Sequence, residues 1–75
     1  MNFYIIHVHK HFTQIWLDTP EVRAYIAEII YINRRGWELH MRTAVDILKQ
    51  DTVIALRAFA AEQINTLKIL DRLTS

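Results

Sequence analysis

The stretch that decides the fold is residues 29–42, which read IIYINRRGWELHMR and contain Gly36, the single glycine of the chain. In one interpretation, Arg34 and Arg35 end a helix, because basic side chains stabilise its C-terminal end and glycine adopts the left-handed conformation that follows many helices. In the other interpretation, residues 33–36 form a hairpin turn and a strand follows. That strand would alternate Trp37, Leu39 and Met41 with Glu38, His40 and Arg42.

The residues before this stretch favour the helical interpretation. Thr19 is a suitable N-cap, Pro20 suits the first helical position, and Glu21 lies in the first turn, near the positive end of the helix dipole. Apolar residues then recur on one broad face of a helix: Val22, Tyr25, Ile26, Ile29, Ile30 and Ile32. The sequence therefore predicts a helix over residues 20–35.

The segment 53–73 shows the clearest helical periodicity of the chain. One arc holds most of its large apolar residues, namely Val53, Leu56, Phe59, Ala60, Ile64, Leu67 and Leu70. A second, weaker apolar stripe lies opposite and consists of Ala55, Ala58, Ile69 and Leu73. We expect a long amphipathic helix over residues 52–73 and self-association into a homo-oligomer through its second stripe.

The remaining segments carry mixed signals. Helical spacing also links Trp37, Met41, Ala44 and Leu48, whereas the β-branched and aromatic residues of segment 2–17 fit either a helix or a strand. One glycine and one proline allow few tight turns, which favours long helices. The predicted fold is all-α, a small bundle of three to four helices. The alternative is α+β, with an N-terminal strand at residues 2–9 and a hairpin around Gly36.

Length and composition indicate one small domain. The 75 residues are 52% hydrophobic and carry a net charge of +1, which argues against a disordered chain and against strong attraction to nucleic acid or to anionic membranes. The chain has no cysteine, so disulfides and thiolate metal sites are excluded. No apolar run is long enough to span a membrane and no signal peptide precedes the domain, so the cytoplasm is the expected compartment.

The residue content excludes most catalytic chemistry. A phosphate-binding loop needs several glycines, and the single serine, Ser75, is the last residue. We therefore expect no enzymatic activity and no cofactor. The one cluster of potential metal ligands is His7, His9 and His11, which would share one face of a strand. A metal-binding protein is accordingly an alternative function.

The preferred function is that of a non-catalytic protein-binding regulator, adaptor or inhibitor. Phage- and plasmid-encoded regulators such as anti-CRISPR inhibitors have this size, an analogy of class and not of residues. Aromatic and arginine side chains dominate binding hot spots. The predicted partner-binding residues are therefore Arg34, Arg35, Trp37, His40 and Arg42. A further alternative is a nucleic-acid-associated transcription regulator or antitoxin that uses Arg34, Arg35, Arg42 and Lys49.

Overall fold

The computed structural model describes residues 2–42 and 48–74, which form an antiparallel sheet followed by a helix. The elements are β1 (Asn2–His9), β2 (Phe12–Asp18), β3 (Arg23–Ile32), β4 (Gly36–Met41) and α1 (Gln50–Thr74). Each strand pairs with the next along the chain, so the sheet order is β1-β2-β3-β4. The predicted all-α helical bundle is wrong. The α+β alternative, with its N-terminal strand and its hairpin around Gly36, is confirmed.

A β-bulge in β3 explains why the apolar residues of this strand have a helical spacing in the sequence. Ile15 pairs with Ala27 but Trp16 pairs with Tyr25, which leaves Ile26 as an extra residue in β3. Ile26 and Ala27 are both buried in the core. Two consecutive inward side chains break the period of two and produce spacings of three and four residues, as in a helix. The helix predicted over residues 20–35 is therefore wrong.

The supposed helix start is the turn between β2 and β3. The Thr19 hydroxyl accepts a hydrogen bond from the Val22 amide (3.0 Å), which is the contact that an N-cap would make. The Thr19 amide in turn donates to the Val22 carbonyl (2.9 Å) and closes the turn. A threonine hydroxyl can accept such a hydrogen bond in a turn as well as at a helix end. Thr19 therefore makes the contact expected of an N-cap, but a strand follows it and not a helix.

The β3–β4 hairpin places Arg34 and Gly36 in the left-handed region, at φ of 74° and 83°. The Arg35 amide donates to the Ile32 carbonyl across the turn (3.0 Å). Glycine adopts this conformation without strain, whereas arginine does not. The helix predicted from the spacing of Trp37, Met41, Ala44 and Leu48 is wrong for residues 37–41, which belong to β4. Ala44 lies outside the described residues.

The long C-terminal helix is confirmed, and it covers one face of the sheet. Its buried residues are Thr52, Val53, Leu56 and Ala60. They pack against a core formed mainly by Ile15, Ile26, Ala27 and Ile29. A helix of 25 residues is about 37 Å long, and its last two turns are exposed.

Two substitutions in the hairpin should have opposite effects on stability. Arg34→Gly removes a strained left-handed arginine and should raise the free energy of unfolding by about 0.5–1 kcal/mol. Gly36→Ala should lower it by about 1 kcal/mol; no atom lies within 4 Å of the added Cβ, so the cost is conformational alone. Urea denaturation measures both, and equal signs would contradict the turn geometry.

A matched pair in α1 tests which helix face is buried. Leu56 is fully buried, whereas Ile54 is 60% exposed. Leu56→Ala should therefore cost about 2–5 kcal/mol through the lost burial and the cavity. Ile54→Ala should change stability by less than about 1 kcal/mol. Denaturation curves that gave similar losses for both variants would show that α1 packs differently.

Candidate functional site

The face of the sheet opposite α1, here called the open face, is covered by nothing within the described residues. Side chains alternate between the two faces of a strand, so those flanking the buried positions point to the open face. The open face carries Tyr4, Ile6, Phe12, Gln14, Trp16, Tyr25, Glu28, Ile30, Glu38 and His40. Aromatic and aliphatic side chains thus alternate with a few charged ones on this surface.

Three aromatic rings form a stacked row across the open face. The rings of Tyr4 and Trp16 lie 6.0 Å apart and are tilted by 13°, and those of Trp16 and Tyr25 lie 5.4 Å apart and are tilted by 16°. The Arg42 guanidinium lies 4.3 Å from the Tyr25 ring centroid, in cation–π contact. Strand register creates this row, because Tyr4 pairs with Trp16 and Trp16 with Tyr25. We call Tyr4, Trp16, Tyr25 and Arg42 together the aromatic row.

Neighbouring rings of the row stack face to face. Trp16, on β2, has Tyr4 on its β1 side and Tyr25 on its β3 side. Tyr25 lies between Trp16 and Arg42. The Arg23 guanidinium lies 5.9 Å from the centroid of the Tyr4 ring. The row therefore presents ring edges to solvent and few open ring faces.

The charges around the row are paired within the chain. Arg23 lies 3.4 Å from Asp18, and Arg42 lies 3.8 Å from Glu28. Glu38 contacts both Arg35 and the imidazole of His40, each at 3.0 Å. Polar groups of the row are also satisfied, since the Trp16 indole N–H donates to Gln14 Oε1 (3.1 Å). The open face is therefore close to neutral, with its arginines already engaged.

Tyr25 is the titratable group whose environment departs most clearly from solvent. Burial raises the pKa of the Tyr25 phenol above 10.0, and its hydrogen bond to Glu28 and the negative charge of that carboxylate raise the pKa further. Arg42 acts in the opposite direction and lowers the pKa. Tyr25 is thus a neutral hydrogen-bond donor at physiological pH.

The structure divides the predicted partner-binding residues between two surfaces. His40 and Arg42 lie on the open face, and Arg34 and Arg35 are exposed in the β3–β4 turn. Trp37 points the other way, packs against the core and contacts Tyr31 at 5.3 Å between ring centroids. The aromatic row as a unit was missed, because its members are far apart in sequence and only the sheet register joins them.

The three histidines lie near a groove of about 490 Å³ between the β1–β2 turn and the end of α1. The His7 ring lies 2.9 Å from the Thr13 hydroxyl, His9 Nδ1 accepts from the His11 amide, and His11 stacks on Tyr31. Within residues 2–42 and 48–74, no three potential ligands are grouped closely enough to hold a metal ion. The metal interpretation stays a prediction.

The predicted self-association stripe is only partly continuous. Ala55 is half-buried and Ala58 is exposed, and Ile69 and Leu73 are 54% and 76% exposed. Exposed Glu62 lies between these pairs on the same side of α1. No helix among the described residues is long and apolar enough to cross a membrane.

The polar contacts of Tyr25 predict opposite pKa changes in two variants. Glu28→Gln should lower the pKa of Tyr25 toward 10.0, because a negative charge is lost, and Arg42→Gln should raise it. NMR titration of ring-labelled tyrosine measures both, with Tyr31 as internal control.

The raised pKa of Tyr25 also determines how the stability of the fold changes with pH. Because the folded-state pKa is the higher one, the contribution of Tyr25 is present below pH 10.0 and lost as the pH rises through the folded-state pKa. Glu28→Gln should weaken that alkaline loss, and an unchanged loss would exclude Glu28 as its cause.

Comparisons of this chain with protein-family models, with curated proteins and with solved structures find no match. What the protein binds is therefore inferred from the surfaces described above.

Proposed function

We propose that this protein is a non-catalytic protein-binding domain, a small regulator, adaptor or inhibitor whose open face docks on an apolar, nearly neutral surface of another protein. The observation that carries the proposal is the aromatic row, which lies on an uncovered sheet face whose charges are already paired. The proposed compartment is the cytoplasm, as expected from the sequence.

The residue types of the open face suit a protein interface. Tryptophan, tyrosine and arginine are enriched among binding hot spots, because they bury a large area and keep a polar group. The same face carries aliphatic side chains. Ile6, which is 43% exposed, is next to the row, and half-buried Ile30 lies beyond Glu28 on β3. Paired charges at the surface need no opposite charge on the partner, so a neutral apolar patch is the complementary surface.

Two features argue against nucleic acid as the partner of this face. Stacking of bases requires free ring faces, whereas Trp16 and Tyr25 are flanked on both sides. Phosphate binding depends on unpaired cations, whereas Arg23 and Arg42 already face carboxylates. Those carboxylates would repel a phosphate backbone.

A matched pair of lysine substitutions tests the proposal. Ile30→Lys places a charge on the open face, between Phe12 and Glu38, and Ile54→Lys places the same charge on the far side of α1. Immobilised wild type and Ile54→Lys should retain the same partner from a lysate. Ile30→Lys should lose it, because the ammonium group and the Glu38 carboxylate opposite it would have to be desolvated in an apolar interface. Both variants must first show native unfolding curves.

The purified partner then provides a direct measurement. In Trp37→Phe, Trp16 is the only tryptophan, so its emission should shift when the partner covers the open face. Calorimetry should give a negative heat-capacity change, as expected for apolar burial. Binding of single-stranded oligonucleotides that weakens with salt and is lost in Arg42→Gln would contradict a protein partner.

A further inference from the structure

We propose that the outer edge of β1 pairs antiparallel with β1 of a second copy, so that two chains form a continuous eight-stranded sheet about a two-fold axis. β1 has a neighbour on one side only, β2. An edge strand presents a row of backbone N–H and C=O groups that can pair with another strand. This inference does not depend on the proposed function of the open face.

β1 has one feature that protects sheet edges, a β-bulge at Val8, but it has none of the charged or proline residues that do so. It spans eight residues, NFYIIHVH, and contains no proline, lysine, arginine or acidic residue. The other edge strand, β4, is shorter and carries Glu38, with Arg42 directly after it. Charges and short length are common protections of edge strands. The two edges are therefore unequal, and β1 is the less protected one.

The composition of β1 also favours a second copy as its occupant. In an antiparallel pair of identical strands about a two-fold axis, residue i of one copy faces residue j of the other and j faces i, so a charge near the axis would meet its own copy. β1 contains no lysine, arginine, aspartate or glutamate. Its exposed apolar side chains, Ile6 at 43% and Val8 at 51%, would be covered by those of the other copy.

The aromatic row ends at this edge. Tyr4 is the residue of the row that lies on β1. It stacks on Trp16, and the Arg23 guanidinium lies 5.9 Å from the centroid of its ring. A second β1 would bring further apolar side chains next to Tyr4, because residues opposite each other in a sheet lie on the same face. The pairing would thus continue the open face from one copy into the other.

The back of α1 is the competing self-association surface, and it is less suited. Its apolar residues form two separate groups, Ala55 with Ala58 and Ile69 with Leu73, and Glu62 and Asn65 are exposed between them. A helix pair along this side would bury the Glu62 carboxylate, which is costly without a partner charge.

Cysteine cross-linking identifies the interface, since the chain has no cysteine of its own. Single variants Asn2→Cys, Tyr4→Cys, Ile6→Cys and Val8→Cys are oxidised alone and in mixtures of neighbouring pairs. Opposite residues in an antiparallel pair have Cα atoms about 4.5–5.5 Å apart, within reach of a disulfide. The singles and mixtures together cover every register, and we expect one of them to give a covalent dimer. Ile54→Cys and Leu73→Cys are the helix controls.

A lysine variant tests the same edge without cross-linking. By sedimentation, the wild type should be dimeric, Ile54→Lys should remain dimeric, and Val8→Lys should be monomeric at the same concentration, with a native circular dichroism spectrum. A monomeric wild type, or cross-linking confined to Leu73→Cys or Ile54→Cys, would overturn the proposal. Retention of the open-face partner by wild type and its loss by Ile30→Lys are measured separately, so either proposal can fail alone.

Discussion

The extra residue at Ile26 is the constraint on which both faces of the sheet depend. Without the bulge, regular alternation from buried Ile29 would turn Tyr25 toward α1 and Ile26 toward the open face. The bulge instead places Ile26 and Ala27 in the core and leaves Tyr25 beside Trp16. One inserted residue therefore fills the core under α1 and completes the aromatic row on the opposite side, consistent with the use of bulges to redirect side chains.

The open face also contributes to the stability of a domain with a small core. Among the described residues, seven hydrophobic ones are buried between the sheet and α1, and a chain of this length gains limited stability from its core alone. Each stacked aromatic pair adds about 0.5–1.5 kcal/mol beyond its buried area. The aromatic row is thus part of the fold as well as a candidate binding surface. A charge at Ile30, which is on the same face but outside the row, is therefore more informative than a substitution within the row.

The sequence allowed α1 to be predicted, left residues 2–17 and the hairpin around Gly36 open between helix and strand, and misled for β3, for physical reasons. α1 keeps a single apolar arc from Val53 to Leu67, so its period was evident and its bounds were close. In β3 the bulge replaced a period of two by helical spacings, and Thr19 made an N-cap contact within a turn. Gly36 was correctly expected to be left-handed, but that conformation serves a helix end and a hairpin equally well. His40 and Arg42 were placed on the candidate site by residue type, whereas Tyr4 joined it only through strand register.

The two proposals meet at β1, whose residues Tyr4, Ile6 and Val8 belong to the less protected edge and to the open face or its margin. Four strands about 4.8 Å apart and about eight residues long on average give the open face a projected area of only about 500 Å². A standard protein interface buries about 800 Å² on each partner. Pairing through β1 would place two open faces side by side in one sheet and supply an area of that size. In this arrangement, self-association at β1 would be the step that makes the open face large enough to hold a protein partner firmly.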